Sequence, residues 1–152
     1  MNKHILLVHY KYDPIAWLIR LFTHSYWNHV AWIIDENRII ESKRNGIRLT
    51  SVDTYDNRFL YKTKILKIKN LSIFQEDIIV KELLNSQFKK GYLKRILSFI
   101  LIGLKLDRDL PRETCSGFIA LACAKGGIYF ANKKPSYITP EDINSSTAVE
   151  LV

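Results

Sequence analysis

No stretch of this chain is long and apolar enough to cross a bilayer. The longest apolar run, ILSFILIGLKL at 96–106, is 11 residues long. That is well short of the roughly 20 residues a spanning helix needs, so it reads as a buried helix or a hydrophobic wall. The opening MNKHILLVHYKYDP carries only a four-residue apolar run, too short for a secretory signal core, and the expected compartment is the cytoplasm. Cysteine is scarce: Cys115 and Cys123 are the only two. Eight positions apart on one expected helix, their Cα atoms would stand about 12 Å apart, beyond the reach of a disulfide. Both are expected to be free thiols, which suits a reducing compartment. The sequence also lacks repeats, low-complexity tracts, linkers and any convincing metal-ligand cluster. A single domain over 1–152 is expected, with no metal.

Acidic residues are outnumbered, 15 against 23 basic, for a formal charge of +8. Such a chain attracts anionic partners. The basic residues are scattered through KHILLVHYKY, ESKRNGIR, KTKILKIK and KKGYLKR, which favours a solvated basic surface over a dedicated nucleic-acid stripe.

HILLVHY (4–10) reads as a first strand, and DPIAWLIRLFTH (13–24) as a short helix capped by Asp13 with Pro14 at its first position. NHVAWII (28–34), the turn DEN and RIIES (38–42) carry a hairpin signal. IRLTSV reads as a shorter strand, and RFLYKTKILKIK (58–69) alternates as a half-exposed one. Ser72 with Gln75 forms a capping-box pattern opening a helix over 73–90. Helices follow at about 93–105 and 114–125, the latter stopped by KGG, then a short helix from Thr139 and Pro140 and a terminal strand in AVELV. Strands come mostly early and helices mostly late, which is an α+β pattern.

In PRETCSGFIALAC, Thr114 is suited to N-cap a helix whose first residue is Cys115. The positive end of the helix dipole favours a thiolate there, and first-turn amides can face a developing oxyanion. Phe118, Ile119 and Ala122 share a face with Cys115 at helical spacing. Taken alone, the segment fits two readings, a nucleophile or a small buried residue. Cys123, deep among alanines, reads as core.

A thiol nucleophile needs a base and a group to orient that base. Of His4, His9, His24 and His29, the last stands out, because it opens a strongly apolar strand. If Asp35–Asn37 is a three-residue turn, residue 31 faces 41 and residue 29 faces 43. Glu41 then lies diagonal to His29 on one face. A two-residue turn would instead place Glu41 opposite Trp32 on the other face.

NHVAWIIDENRIIES followed much later by RETCSGFIALA resembles the circularly permuted branch of the NlpC-type, papain-like thiol hydrolases. That branch includes the YiiX/YaeF-like peptidases and the lecithin retinol acyltransferase-like enzymes. In it a strand His comes first, a polar residue on the neighbouring strand second, and a helix-start Cys last. The resemblance assigns His29 as general base, Glu41 as the residue orienting it, and Cys115 as nucleophile. Glutamate at the second position is more similar to the YiiX-like group, as is YITPEDINSS to the TPxD segment near its C-terminus. The opening strand, short helix and run-in to the His also agree. The middle, about 58–105, is not covered, and the GD pair often found before the opening strand is missing.

The resemblance implies a permuted papain-like fold, an antiparallel sheet packed on helices, and hydrolysis through an acyl-enzyme without metal or cofactor. Amides of Cys115 and Ser116 would furnish part of an oxyanion hole, with Tyr10 and Tyr26 as candidates for the other donor. Substrates in such families are cell-wall peptides or lipid acyl groups, and both suit a basic protein at an anionic surface. Glu41 and YITPEDINSS favour amidase or peptidase chemistry, with lipid acyl transfer or hydrolysis as the alternative. A degenerate, non-catalytic basic binding module is the other class. Trp17, Trp27 and Trp32, with the 96–106 run, are read either as an apolar channel or as core.

Overall fold

The computed structural model describes residues 4–43, 46–86 and 114–152. The chain is an α+β protein. Its strands are β1 (His4–Tyr10), β2 (His29–Ile33), β3 (Arg38–Lys43), β4 (Gly46–Ser51), β5 (Tyr61–Ile68) and β6 (Val149–Leu151). Its α-helices, among the described residues, are α1 (Pro14–Thr23), α2 (Ile73–Asn85), α3 (Cys115–Lys125) and α4 (Pro140–Asn144). The six strands form one sheet in the order β4-β3-β2-β1-β5-β6, every neighbour antiparallel.

Strand alternation sends successive side chains to opposite faces, and here both faces of the central strands are covered. Ile5, Leu7, Val30, Trp32, Ile40, Leu66 and Ile68 pack with Ile79 and Leu83 of α2 and with Phe118, Ile119, Ala122 and Cys123 of α3. Leu6, Val8, Ala31, Ile33 and Ile39 form a second cluster, closed by Tyr55 and flanked by Tyr10, Val52 and Tyr61. Tyr55 reaches it from a 3-10 turn, Val52–Tyr55, where it is the one buried residue. The three tryptophans part company: Trp32 is fully buried, Trp27 packs at the core margin and Trp17 is exposed.

Helix ends follow local chemistry. The Asp13 carboxylate accepts from the Ile15 and Ala16 amides ahead of Pro14, and the Ser72–Gln75 capping box opens α2. Helix α2 ends at Asn85, where the Ser86 amide turns back to Leu83 and its hydroxyl to the Glu82 carbonyl; residues 87–90 of the expected helix lie outside the described residues. Strand β5 begins three residues later than expected. Asn57 closes a turn that uses the amides of Phe59, Leu60 and Tyr61. The helix expected at 93–105, with its apolar run, lies outside the described residues. No helix among the described residues is long and apolar enough to cross a membrane.

Helix α3 starts where Thr114 Oγ1 accepts from the Gly117 amide at 2.9 Å. Gly117 must lack a side chain here. A Cβ would lie 2.7 Å from Thr114 Oγ1 and 3.3 Å from the Ser136 carbonyl oxygen. Gly117→Ala is therefore expected to dislodge the cap and lower stability by about 1–2 kcal/mol, although alanine is the better helix former. Urea denaturation checks it, and a gain in stability would contradict the close approach.

Candidate active site

Position 29 is set by the chain entering β2. The Asn28 amide donates to the Val8 carbonyl, and its buried side chain both accepts from the Tyr10 amide at 3.1 Å and donates to the Tyr10 carbonyl at 3.4 Å. This stitching pairs His29 with Val8. The next loop sets position 41. Asp35 Oδ1 accepts from the amides of Asn37 and Arg38, and Arg38 closes the hairpin through its carbonyl. Of the two turn lengths open to the sequence, the structure has the three-residue one, with Ala31 opposite Glu41. Glu41 therefore shares a face with His29, and His29 Nε2 lies 2.7 Å from Glu41 Oε2. Both residues are buried.

Cys115 is the first residue of α3, buried, and near enough to the same imidazole to act on its charge. With Nε2 given to Glu41, the ring's other nitrogen, Nδ1, is the one left for the thiol. Burial alone would pull His29 down. Hydrogen bonds with Cys115 and Glu41, reinforced by their charges, more than reverse it, and the imidazole is raised to about 9. Burial pushes Glu41 the other way, up. The hydrogen bond and charge of His29, then Tyr55 and Lys43, outweigh it and hold the carboxyl at about 2. The result is a buried imidazolium–carboxylate pair beside a cysteine at a helix start.

Two residues at this site escaped the sequence reading. Tyr55 Oη donates to Glu41 Oε2, the oxygen that also receives the His29 proton. Lys43 Nζ stands 2.9 Å from the other oxygen, Oε1, and 4.8 Å from the centroid of the Tyr55 ring. Lys43 had a signal available. The three-residue turn places it opposite position 29, two residues beyond Glu41 on the same face. Tyr55, in the polar segment SVDTYD, had almost none.

The candidates for the oxyanion hole separate. Thr114 takes the Gly117 and Phe118 amides, which leaves those of Cys115 and Ser116 without an intrahelical acceptor. The Ser116 hydroxyl is committed elsewhere, donating to the Ile138 carbonyl at 2.6 Å and tying α3 to the segment before α4. Tyr10 lies edge-on to His29 with ring centroids 5.8 Å apart, and its oxygen is 2.9 Å from that of Tyr55. Tyr55 gives its proton to a carboxylate that can only accept, so Tyr10 must donate to Tyr55. Its single proton is spent, and Tyr10 is not the second oxyanion donor in this arrangement. Tyr26 is not a donor to the site either: it is half exposed and stacked on His9, which projects from the opposite face of β1 to Tyr10. Burial pushes the Cys123 thiol far above its ordinary range, and it sits in the main core.

No family model matches the chain, and no curated protein matches it.

The two shifts carry opposite signs in stability. Glu41, held at about 2 against an ordinary 4.5, contributes stability present above pH 4.5 and lost as pH falls through about 2. His29, raised to about 9 from 6.5, contributes stability complete below pH 6.5 and lost as pH rises through about 9. Stability from the pair is expected to be greatest between pH 4.5 and 6.5. Urea midpoints measured across this range and beyond it check the profile. His29→Gln is expected to flatten the alkaline fall, and a fall of unchanged size would assign it to other groups.

Proposed function

We propose that the chain is a cysteine hydrolase of the permuted papain-like kind, with Cys115 as nucleophile, His29 as general base and acid, and Glu41 as the residue that orients the imidazole. The observation that carries this reading is one buried imidazole bonded to a buried carboxylate and adjoining a cysteine that is the first residue of a helix. The chain order of strand His, neighbouring-strand Glu and helix Cys supports the permuted fold.

In this mechanism the proton of Cys115 rests on His29 as the imidazolium, and the thiolate adds to a substrate carbonyl. The tetrahedral oxyanion that forms is met by the Cys115 and Ser116 amides at the positive end of α3. His29, charged and held by Glu41, then passes its proton to the leaving group as the carbon–leaving-group bond breaks, and an acyl-enzyme remains. Water, deprotonated by His29, adds to the acyl carbon. Collapse expels the thiolate and returns the carboxylic acid product. Glu41 stays a carboxylate throughout, which its low proton affinity favours.

The substrate class that fits best is the amide of a cell-wall-type peptide, acted on at an anionic surface that a chain of charge +8 would approach. Lipid acyl esters would pass through the same steps.

Near neutral pH, iodoacetamide is expected to alkylate Cys115 at least about a hundredfold faster than Cys123, because only the former has a base and a helix end to stabilise its thiolate. His29→Ala is expected to remove most of that advantage. Peptide mapping of the labelled chain reads both rates. Equal, slow labelling of the two cysteines would refute the hydrolase reading.

A further inference from the structure

Hydrolysis by Cys115 and His29 needs a carboxylate that holds the imidazole without competing for its proton. The geometry around Glu41 points to how this is arranged. We propose that Tyr55 is a positioning residue of this site. It shares Glu41 Oε2 with His29, fixing that oxygen in line with the ring and limiting how tightly it grips the Nε2 proton. The proposal rests on the hydrolase reading of the Cys115 site.

Packing alone would ask only for a Phe at position 55, since the ring fills the second core cluster. The hydroxyl adds two contacts. It donates to Oε2 of a fully buried carboxylate and accepts from Tyr10 at 2.9 Å. Burial, and then the neighbouring Tyr10 and Glu41, push Tyr55 upward, so it remains a proton donor. In the turn that carries it, Asp53 and Thr54 are exposed and Val52 only flanks the cluster. Ser51 caps that turn through the Asp53 amide, and Tyr55 is the one residue of it that is buried.

Among the described residues, the charged or titratable groups that face Glu41 each have a place in this arrangement. His29 of β2 and Tyr55 of the 3-10 turn meet on Oε2. Lys43 of β3 holds Oε1 at 2.9 Å. Tyr10 of β1 acts through Tyr55, and Arg48 of β4, directly across in register, is exposed. Lys43 meets Oε1 by charge alone, without hydrogen-bond geometry, so it is the two hydrogen bonds on Oε2 that orient the carboxylate. Two donors on one oxygen also divide its lone-pair density, so the His29 proton is bound less strongly than a lone carboxylate would bind it. A proton gripped too firmly is a poor general acid.

The test uses the full chain with 15N-labelled histidine, following the ring nitrogens of His29 against pH. Tyr55→Phe is expected to move the His29 midpoint upward, because all the basicity of Oε2 then falls on Nε2–H. In the Glu41→Gln background the same substitution is expected to leave the midpoint where Glu41→Gln set it, since Tyr55 acts through the carboxylate. Site-specific 3-fluorotyrosine at position 55 keeps the ring and strengthens the donor. It is expected to move the midpoint downward, and it decides the matter if Tyr55→Phe does not fold. An unmoved midpoint in the Tyr55 variants, or an equal displacement in the Glu41→Gln background, would overturn the proposal. Iodoacetamide labelling of the unsubstituted chain separates the two failures. If Cys115 labels no faster than Cys123, the hydrolase reading fails whatever Tyr55 does to His29.

Discussion

A carboxylate with no exposure to water sits at the centre of this molecule, and much of the local structure serves to satisfy it. An unpaired buried charge is costly by several kcal/mol, so Glu41 has to be met by donors and by positive charge. His29 comes from β2, Lys43 from the end of β3 and Tyr55 from the turn after β4. All three reach Glu41 together only if the β2–β3 hairpin has its three-residue turn and the chain after β4 folds back over the sheet. A one-residue slip in register would carry Glu41 to the opposite face and strand His29 among apolar neighbours. The hairpin that fixes the fold is thus the same one that builds the site.

Much of this was legible in the sequence where a local rule acts without competition. Thr114 before Cys115, Asp13 before Pro14 and Ser72 with Gln75 are caps, decided by which side chain can accept from a first-turn amide. The hairpin was legible up to its turn length. The choice between two and three residues hung on Asp35, whose side chain gathers the Asn37 and Arg38 amides. Tyr55 was not legible. Its place depends on a 3-10 turn inserted between two strands, and nothing in SVDTYD marks one tyrosine for burial. Tyr10 and Tyr26 show the same limit. Both precede or flank the β2 run-in, yet strand alternation sends one toward His29 and leaves the other on His9.

The two cysteines illustrate how position outweighs composition. Both are buried free thiols on one helix. Cys123 lies in mid-helix among apolar side chains, where burial works against ionisation and no base is near enough to offset it. Cys115 lies at the helix start, beside amides that have no intrahelical acceptor and an imidazole bonded to Glu41. Eight residues of helix separate a structural thiol from one with the surroundings of a nucleophile.

A nucleophilic Cys115 served by His29 must pass through a covalent acyl-enzyme. Intact-mass analysis after brief exposure to activated acyl and peptide esters detects that species. One acyl group is expected on Cys115, forming rapidly and then decaying with time, and forming far more slowly in His29→Ala. No adduct on Cys115, or one whose rate is indifferent to His29→Ala, would contradict the account.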